Sequence, residues 1–111
     1  MQAGIAAAQA ELERDDAELR NAELRTSLDV DQARREQEAA RRQLELAESR
    51  RQLAADNLAL ARKSYDLGES DLATLLRVQS SAFEAQRAAE RARIGVLVAR
   101  GRLNQALGVI P

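Results

Sequence analysis

The chain has 111 residues, 45% hydrophobic and 32% charged, with one Phe, one Tyr, no Trp and a single Pro at the last position. Such an Ala, Glu, Arg and Leu-rich composition belongs to long helices and coiled coils, and the shortage of large side chains, worth about 1.5 to 3 kcal/mol each when buried, argues against a compact globular core. With 17 basic and 18 acidic residues mixed along the chain, the formal net charge is -1, which gives no field strong enough to favour nucleic acid or an anionic membrane surface.

Cysteine and histidine are both absent. Disulfides, thiol nucleophiles, imidazole bases and the usual transition-metal ligands go with them, so no catalytic site, no cofactor and no metal is expected. The longest uninterrupted apolar run, Ile94 to Ala99, is far below the roughly 18 residues a membrane-spanning helix needs. Nor does Met1 to Gln9 resemble a signal peptide, since it has no basic start and too short an apolar core. As written, the chain reads as soluble and carries no address.

In chain order, Ile5, Leu12 and Leu19 recur every seven residues, Ala8 and Ala22 add to the same face, and charged residues occupy the rest. This predicts an amphipathic helix with a narrow seam. Asp16 and Arg20 stand at i, i+4, an acid-before-base pair, and Asp15 with Asp16 reads as a solvated face in preference to a cation site. Thr26 to Asp31 is the weakest helical stretch of this half, with β-branched Thr26 and Val30 beside Ser27, Asp29 and Asp31. No Gly or Pro interrupts it, so the helix is expected to continue.

Ala33, Ala40, Ala47, Ala54 and Ala61 then stand at strict heptad spacing, and Leu46, Leu53, Leu60 and Leu67 form a second heptad row beside them. Together the two rows predict a seam where another helix approaches closely. The doublets Arg34-Arg35, Arg41-Arg42 and Arg50-Arg51 are interleaved with Asp31, Glu36, Glu38, Glu45 and Glu48, and no aromatic residue is available for base stacking. They read as a salt-bridged solvent face.

Gly68 sits where a helix C-terminal cap adopts the left-handed conformation, Ser70 is the candidate N-cap of a second helix, and Asp71 suits its first turn. From there Leu75, Ala82, Ala89, Val96 and Leu103 make one heptad row, and Val78, Ala85, Ala92, Ala99 and Ala106 a second. Leu107 is the expected last helical residue, with Gly108 as its cap and Pro111 beyond. The fold class is therefore all-α: an antiparallel helical hairpin over residues 1–111, with helices over about 3–66 and 71–107 and a turn over 67–70. At 1.5 Å per residue the helices would run roughly 95 and 55 Å. Leu107 then falls opposite Val30, leaving the seam from Ile5 to Leu24 without a partner in this chain. Other helices must complete the structure.

The stretch from Tyr65 to Gly108 resembles the C-terminal hairpin of TolC-like outer membrane efflux proteins. The resemblance is carried by Tyr65, Gly68, Leu72, Leu75, Leu76, Gln79, Ala106, Leu107 and Gly108. The start, QAGIAAAQAELERDDAEL, is similar to the entry of such chains into the long periplasmic helix, especially in the cation-efflux branch. The resemblance implies a homotrimeric exit duct for small molecules or metal ions. Its helical tunnel lies in the periplasm, its barrel in the outer membrane, and its hairpin tips meet a periplasmic adaptor coupled to an inner-membrane pump. Carried over by position, Leu67, Gly68, Glu69, Ser70, Asp71 and Leu72 form the adaptor-contact tip, and Thr74 and Arg77 fall at the pore constriction, where some members place acids. Neither is acidic here. The chain also lacks barrel strands and shows one of the family's two repeats, which implies a C-terminal fragment or a truncated frame. The competing expectation is a stand-alone antiparallel coiled-coil interaction protein that pairs two hairpins into a four-helix bundle. An upstream frame encoding alternating strands and a second helical repeat supports the duct, whereas a true start at Met1 with a defined small oligomer supports the bundle.

Overall fold

The computed structural model describes residues 2–108, which form two helices, α1 (Gln2–Asp66, 65 residues) and α2 (Leu72–Gly108, 37 residues), folded back on one another as an all-α antiparallel hairpin. No helix among them is long and apolar enough to cross a membrane. The hairpin is a rod of 99 × 20 × 13 Å with a radius of gyration of 27.2 Å. A compact domain of this length would have a radius of about 13 Å. There is accordingly no central core, only one seam between the two helices.

Helix α1 runs unbroken through Thr26 to Asp31, where the Thr26 hydroxyl donates to the Ala22 carbonyl at 3.0 Å. This back-bond settles the polar branch of a β-branched residue without breaking the helical ladder. Helix α2 starts one residue later than its sequence suggests and includes Gly108.

The buried residues are Val30, Ala33 and Ala47 of α1 with Ala89, Val96 and Ala99 of α2, none larger than valine. Around them the half-buried positions alternate every three and four residues, through Ala40, Leu44, Ala54 and Leu58 on α1 and Leu75, Val78, Ala82 and Ala85 on α2. Both heptad rows expected for α2 face the seam, and so does the Ala33 to Ala61 row of α1. Residues this small let the two backbones come close, so the contact is long, shallow and made chiefly of methyl groups.

One expected row belongs elsewhere. Leu46, Leu53, Leu60 and Leu67 are 46%, 62%, 65% and 71% exposed, and they line the outside of the hairpin. Leu46, Leu53 and Leu60 each precede an alanine of the seam by one residue, and one residue is about 100° of rotation, so neighbours in sequence cannot share a face. The second seam row is instead offset by three and four residues: Val30, Gln37, Leu44, Arg51 and Leu58. Its polar members, Gln37 and Arg51, disguise it as a surface row.

Ile5, Leu12 and Leu19 stand in the same heptad row as Ala33 to Ala61, and at 61%, 63% and 59% exposure they lie beyond the reach of α2. The seam thus continues past the end of its partner helix. Where α2 stops, Leu19, Ala22, Thr26 and Val30 line an open groove.

The seam generates a direct test. Ala89 is fully buried, so Ala89→Leu would drive the helices apart, at a cost of about 1 to 3 kcal/mol for overpacking. Ala59→Leu on the exposed side of α1 should stay within about 0.5 kcal/mol of the parent. Urea unfolding followed by helical circular dichroism should separate the two.

Candidate functional site at the hairpin turn

The turn is built by backbone chemistry. At the end of α1, Glu69 N–H donates to the Ser64 carbonyl at 2.9 Å and Gly68 N–H to the Tyr65 carbonyl at 3.0 Å, while Gly68 takes φ 75°. This six-to-one and five-to-two pair of bonds is a Schellman cap, and it requires a left-handed residue at the position glycine fills most cheaply. A further bond from Leu67 N–H to the Lys63 carbonyl at 3.1 Å closes the last turn of α1.

Asp71, and not Ser70, caps α2. Its Oδ1 accepts the Thr74 backbone N–H at 2.9 Å, and its carbonyl accepts Leu75 N–H at 3.3 Å, the first bond of the new helix. Both residues are good caps by type, but only Asp71 stands three residues before the first free N–H the helix presents. Ser70 is half-buried, and its Oγ is enclosed without a hydrogen-bond partner among the described residues. The Thr74 hydroxyl, then its backbone N–H, and further the Arg77 charge hold the Asp71 carboxyl below the usual carboxylate range.

The six expected tip residues therefore do come together at one end of the rod. Gly68, Glu69, Ser70 and Asp71 share an open concavity with Thr74. Leu67 and Leu72, 71% and 51% exposed, face outward instead of packing against the turn. The result is a small surface of two apolar side chains flanking the exposed Glu69 carboxylate. Thr74 is half-buried and engaged with Asp71, whereas Arg77 is exposed one turn further on, beside Asn57 and Ser81. The two residues expected at a constriction thus differ: Thr74 belongs to the cap, and Arg77 holds a guanidinium at the surface. No group of three or more potential metal ligands occurs among the described residues.

A second polar cluster lies midway along the seam. Glu48 accepts from Arg51 Nε at 2.9 Å and also binds Arg93 of α2, so one carboxylate bridges both helices. Hydrogen bonds from Arg51 first and Arg93 second pull its carboxyl below the usual range. Further from the turn, Arg102 Nη1 lies 3.7 Å from a Glu36 carboxylate oxygen. The expected salt-bridged face is present in Arg42 to Glu38 at 3.2 Å, but Arg51 has a different place. It occupies a seam position at the level of the bridge. The signal available in the sequence was its seven-residue distance from Leu44 and Leu58.

By its fold the chain is a long helical hairpin with a rigid capped tip and apolar residues left outside the seam. Comparison with family models, with curated proteins and with solved structures finds no match.

The cap has a pH signature. Asp71 has a lowered carboxyl pKa in the folded chain, so its contribution is full above the ordinary aspartate pKa of about 3.9 and is lost as pH falls through the lowered folded value. Asp71→Ala should lower the unfolding temperature at pH 7. Asp71→Asn, which still accepts the Thr74 N–H, should retain most of it there and show a shallower loss in acid than the parent.

Proposed function

We propose that this chain is a helical hairpin of the periplasmic tunnel of a TolC-like efflux duct, and that its turn docks against a periplasmic adaptor. The duct assembles as a trimer of complete subunits, with its barrel in the outer membrane and this segment in the periplasm. It passes small molecules or metal ions driven by an inner-membrane pump. The chain itself performs no catalysis. It supplies wall and contact surface.

The observation that supports this best is the combination of a 99 Å rod with helices of unequal length and a capped turn at one end. A rod of that length serves to span distance, and a seam that outlasts its partner helix calls for neighbours. The turn adds the contact chemistry. Because its backbone groups and the Asp71 carboxylate are already committed, what it offers a partner is Leu67, Leu72 and the Glu69 carboxylate. That combination suits another hairpin tip carrying apolar residues and a basic group. Among the constriction candidates, exposed Arg77 carries the charge, and on a pore it would repel cations where an acid would attract them.

The test is site-specific crosslinking. Glu69→Cys or Ser70→Cys, paired with cysteines along a cognate adaptor tip, should give crosslinked product, while cysteines at exposed mid-helix positions such as Ala59 should not. Reaction at mid-helix with none at Glu69 or Ser70 would sink the tip contact. A chain that forms a dimer of hairpins and ignores the adaptor altogether would instead be the stand-alone four-helix bundle.

A further inference from the structure

We infer that two copies of this chain pair tail to tail: the stretch of α1 beyond α2 lies antiparallel against the same stretch of a second copy, and the two turns point to opposite ends. That stretch is the uncovered continuation of the hairpin's own seam. Carried back in steps of seven from Ala33 and Val30, one seam row becomes Leu19, Leu12 and Ile5, and the other becomes Glu23, Asp16, Gln9 and Gln2. All seven residues are exposed. Leu19 and Glu23 already line the open groove in which the seam emerges from under α2.

Charge selects the direction. In a parallel pair, residues of the same number meet, so Asp16 would face Asp16 and Glu23 would face Glu23 across a contact that is otherwise leucine and isoleucine. Antiparallel pairing about Leu12 avoids both repulsions. Leu12 then meets Leu12 and Ile5 meets Leu19, while Asp16 falls opposite Gln9 and Glu23 opposite Gln2. Each carboxylate of the seam rows faces an amide that can donate to it. The contact is isologous and closes at two copies. Between Gln2 and Thr26 six acidic residues outnumber three basic ones, and those outside the seam rows stand exposed on the flanks, where salt screens them.

The bodies of the two hairpins leave room for this. In the register marked by the Glu48 to Arg93 and Glu36 to Arg102 pairs, Ala106 of α2 stands level with Val30. The layers offered to a second copy begin at Glu23 and run away from α2, so the partner's α1 takes up the seam where α2 leaves it. Leucine and isoleucine in place of alanine hold the two α1 helices further apart than α1 and α2. The area is modest, with three large side chains from each copy, so the pair is a weak and concentration-dependent one. Preorganisation favours it, because α1 is helical through this stretch in the single chain and no helix has to form on binding. The inference does not rest on the duct reading: both turns stay free at the far ends.

Solution scattering of the full chain over a concentration series, with mass from light scattering, tests the pairing. The expected species is a dimer roughly 165 Å long, against 99 Å for one chain, because only about 22 residues of each α1 overlap. Gln9→Lys should tighten the dimer several-fold, since an ammonium group would then face Asp16, whereas in a parallel pair it would face its own copy and weaken it. The chain has no cysteine, so Ile5→Cys and Leu19→Cys chains, prepared separately and mixed under oxidation, should give disulfide-linked dimer several-fold above either variant alone. Weakening by Gln9→Lys, or Ile5→Cys linking to itself as efficiently as to Leu19→Cys, would overturn the antiparallel arrangement. A dimer no longer than one chain would overturn it in favour of a four-helix bundle, and a single-chain mass up to about 1 mM would overturn it outright. Loss of adaptor crosslinking with the long dimer intact would fail the duct and leave this contact standing.

Discussion

Everything in this hairpin depends on how closely two alanine-lined backbones approach. Ala33, Ala47, Ala89 and Ala99 are buried beside Val30 and Val96, and the seam stays narrow because its buried residues are no larger than valine. Methyl groups contribute little apolar area each, so the seam gains through length what it lacks in depth. Such a contact cannot stabilise a free-standing fold of this size in the way a globular core does. Leu44, Leu58, Leu75 and Leu103 keep half-buried places on the seam, while other large apolar residues stand on the outer corners and on the unpaired end of α1.

Polar chemistry serves the seam at two places. At the turn, the Schellman cap of α1 and the Asp71 cap of α2 use up the backbone groups that two helix ends would otherwise leave open. The tip becomes a fixed shape with few free polar groups, which favours recognition by form and by apolar contact. Midway along, Glu48 holds Arg51 and Arg93 at once. Exposed ion pairs of this kind add little stability. They agree with the register that the short capped turn already sets.

The two outer apolar rows and the bare Ile5 to Leu19 stretch describe different needs. The rows lie beside the turn half of the rod at equal heptad spacing. The stretch beyond α2 continues the inner seam with larger side chains, so whatever covers it meets α1 at a wider separation than α2 does. The tip, the flanks and the overhang therefore form three separate surfaces, each with its own size of side chain.

Much of this was legible in the residue order. Heptad recurrence, the single Gly break at Gly68 and the absence of interior proline determine two helices, their unequal lengths and the place of the turn, because these follow from local backbone energetics and period alone. Both α2 rows and the alanine row of α1 were assigned to the seam on the same grounds. Three matters needed the tertiary structure. Which row joins Ala33 to Ala61 in the seam depends on the angle from which α2 approaches, and so Leu46 to Leu67 went outside while Arg51 went in. Whether Ser70 or Asp71 caps α2 depends on where the chain stops turning, a difference of one residue between two equally suitable side chains. The bridge from Glu48 to Arg93 joins residues far apart in sequence, and only the folding back of the rod brings them together. Periodicity determines which residues share a face of a helix, but only a partner decides which face is the inside.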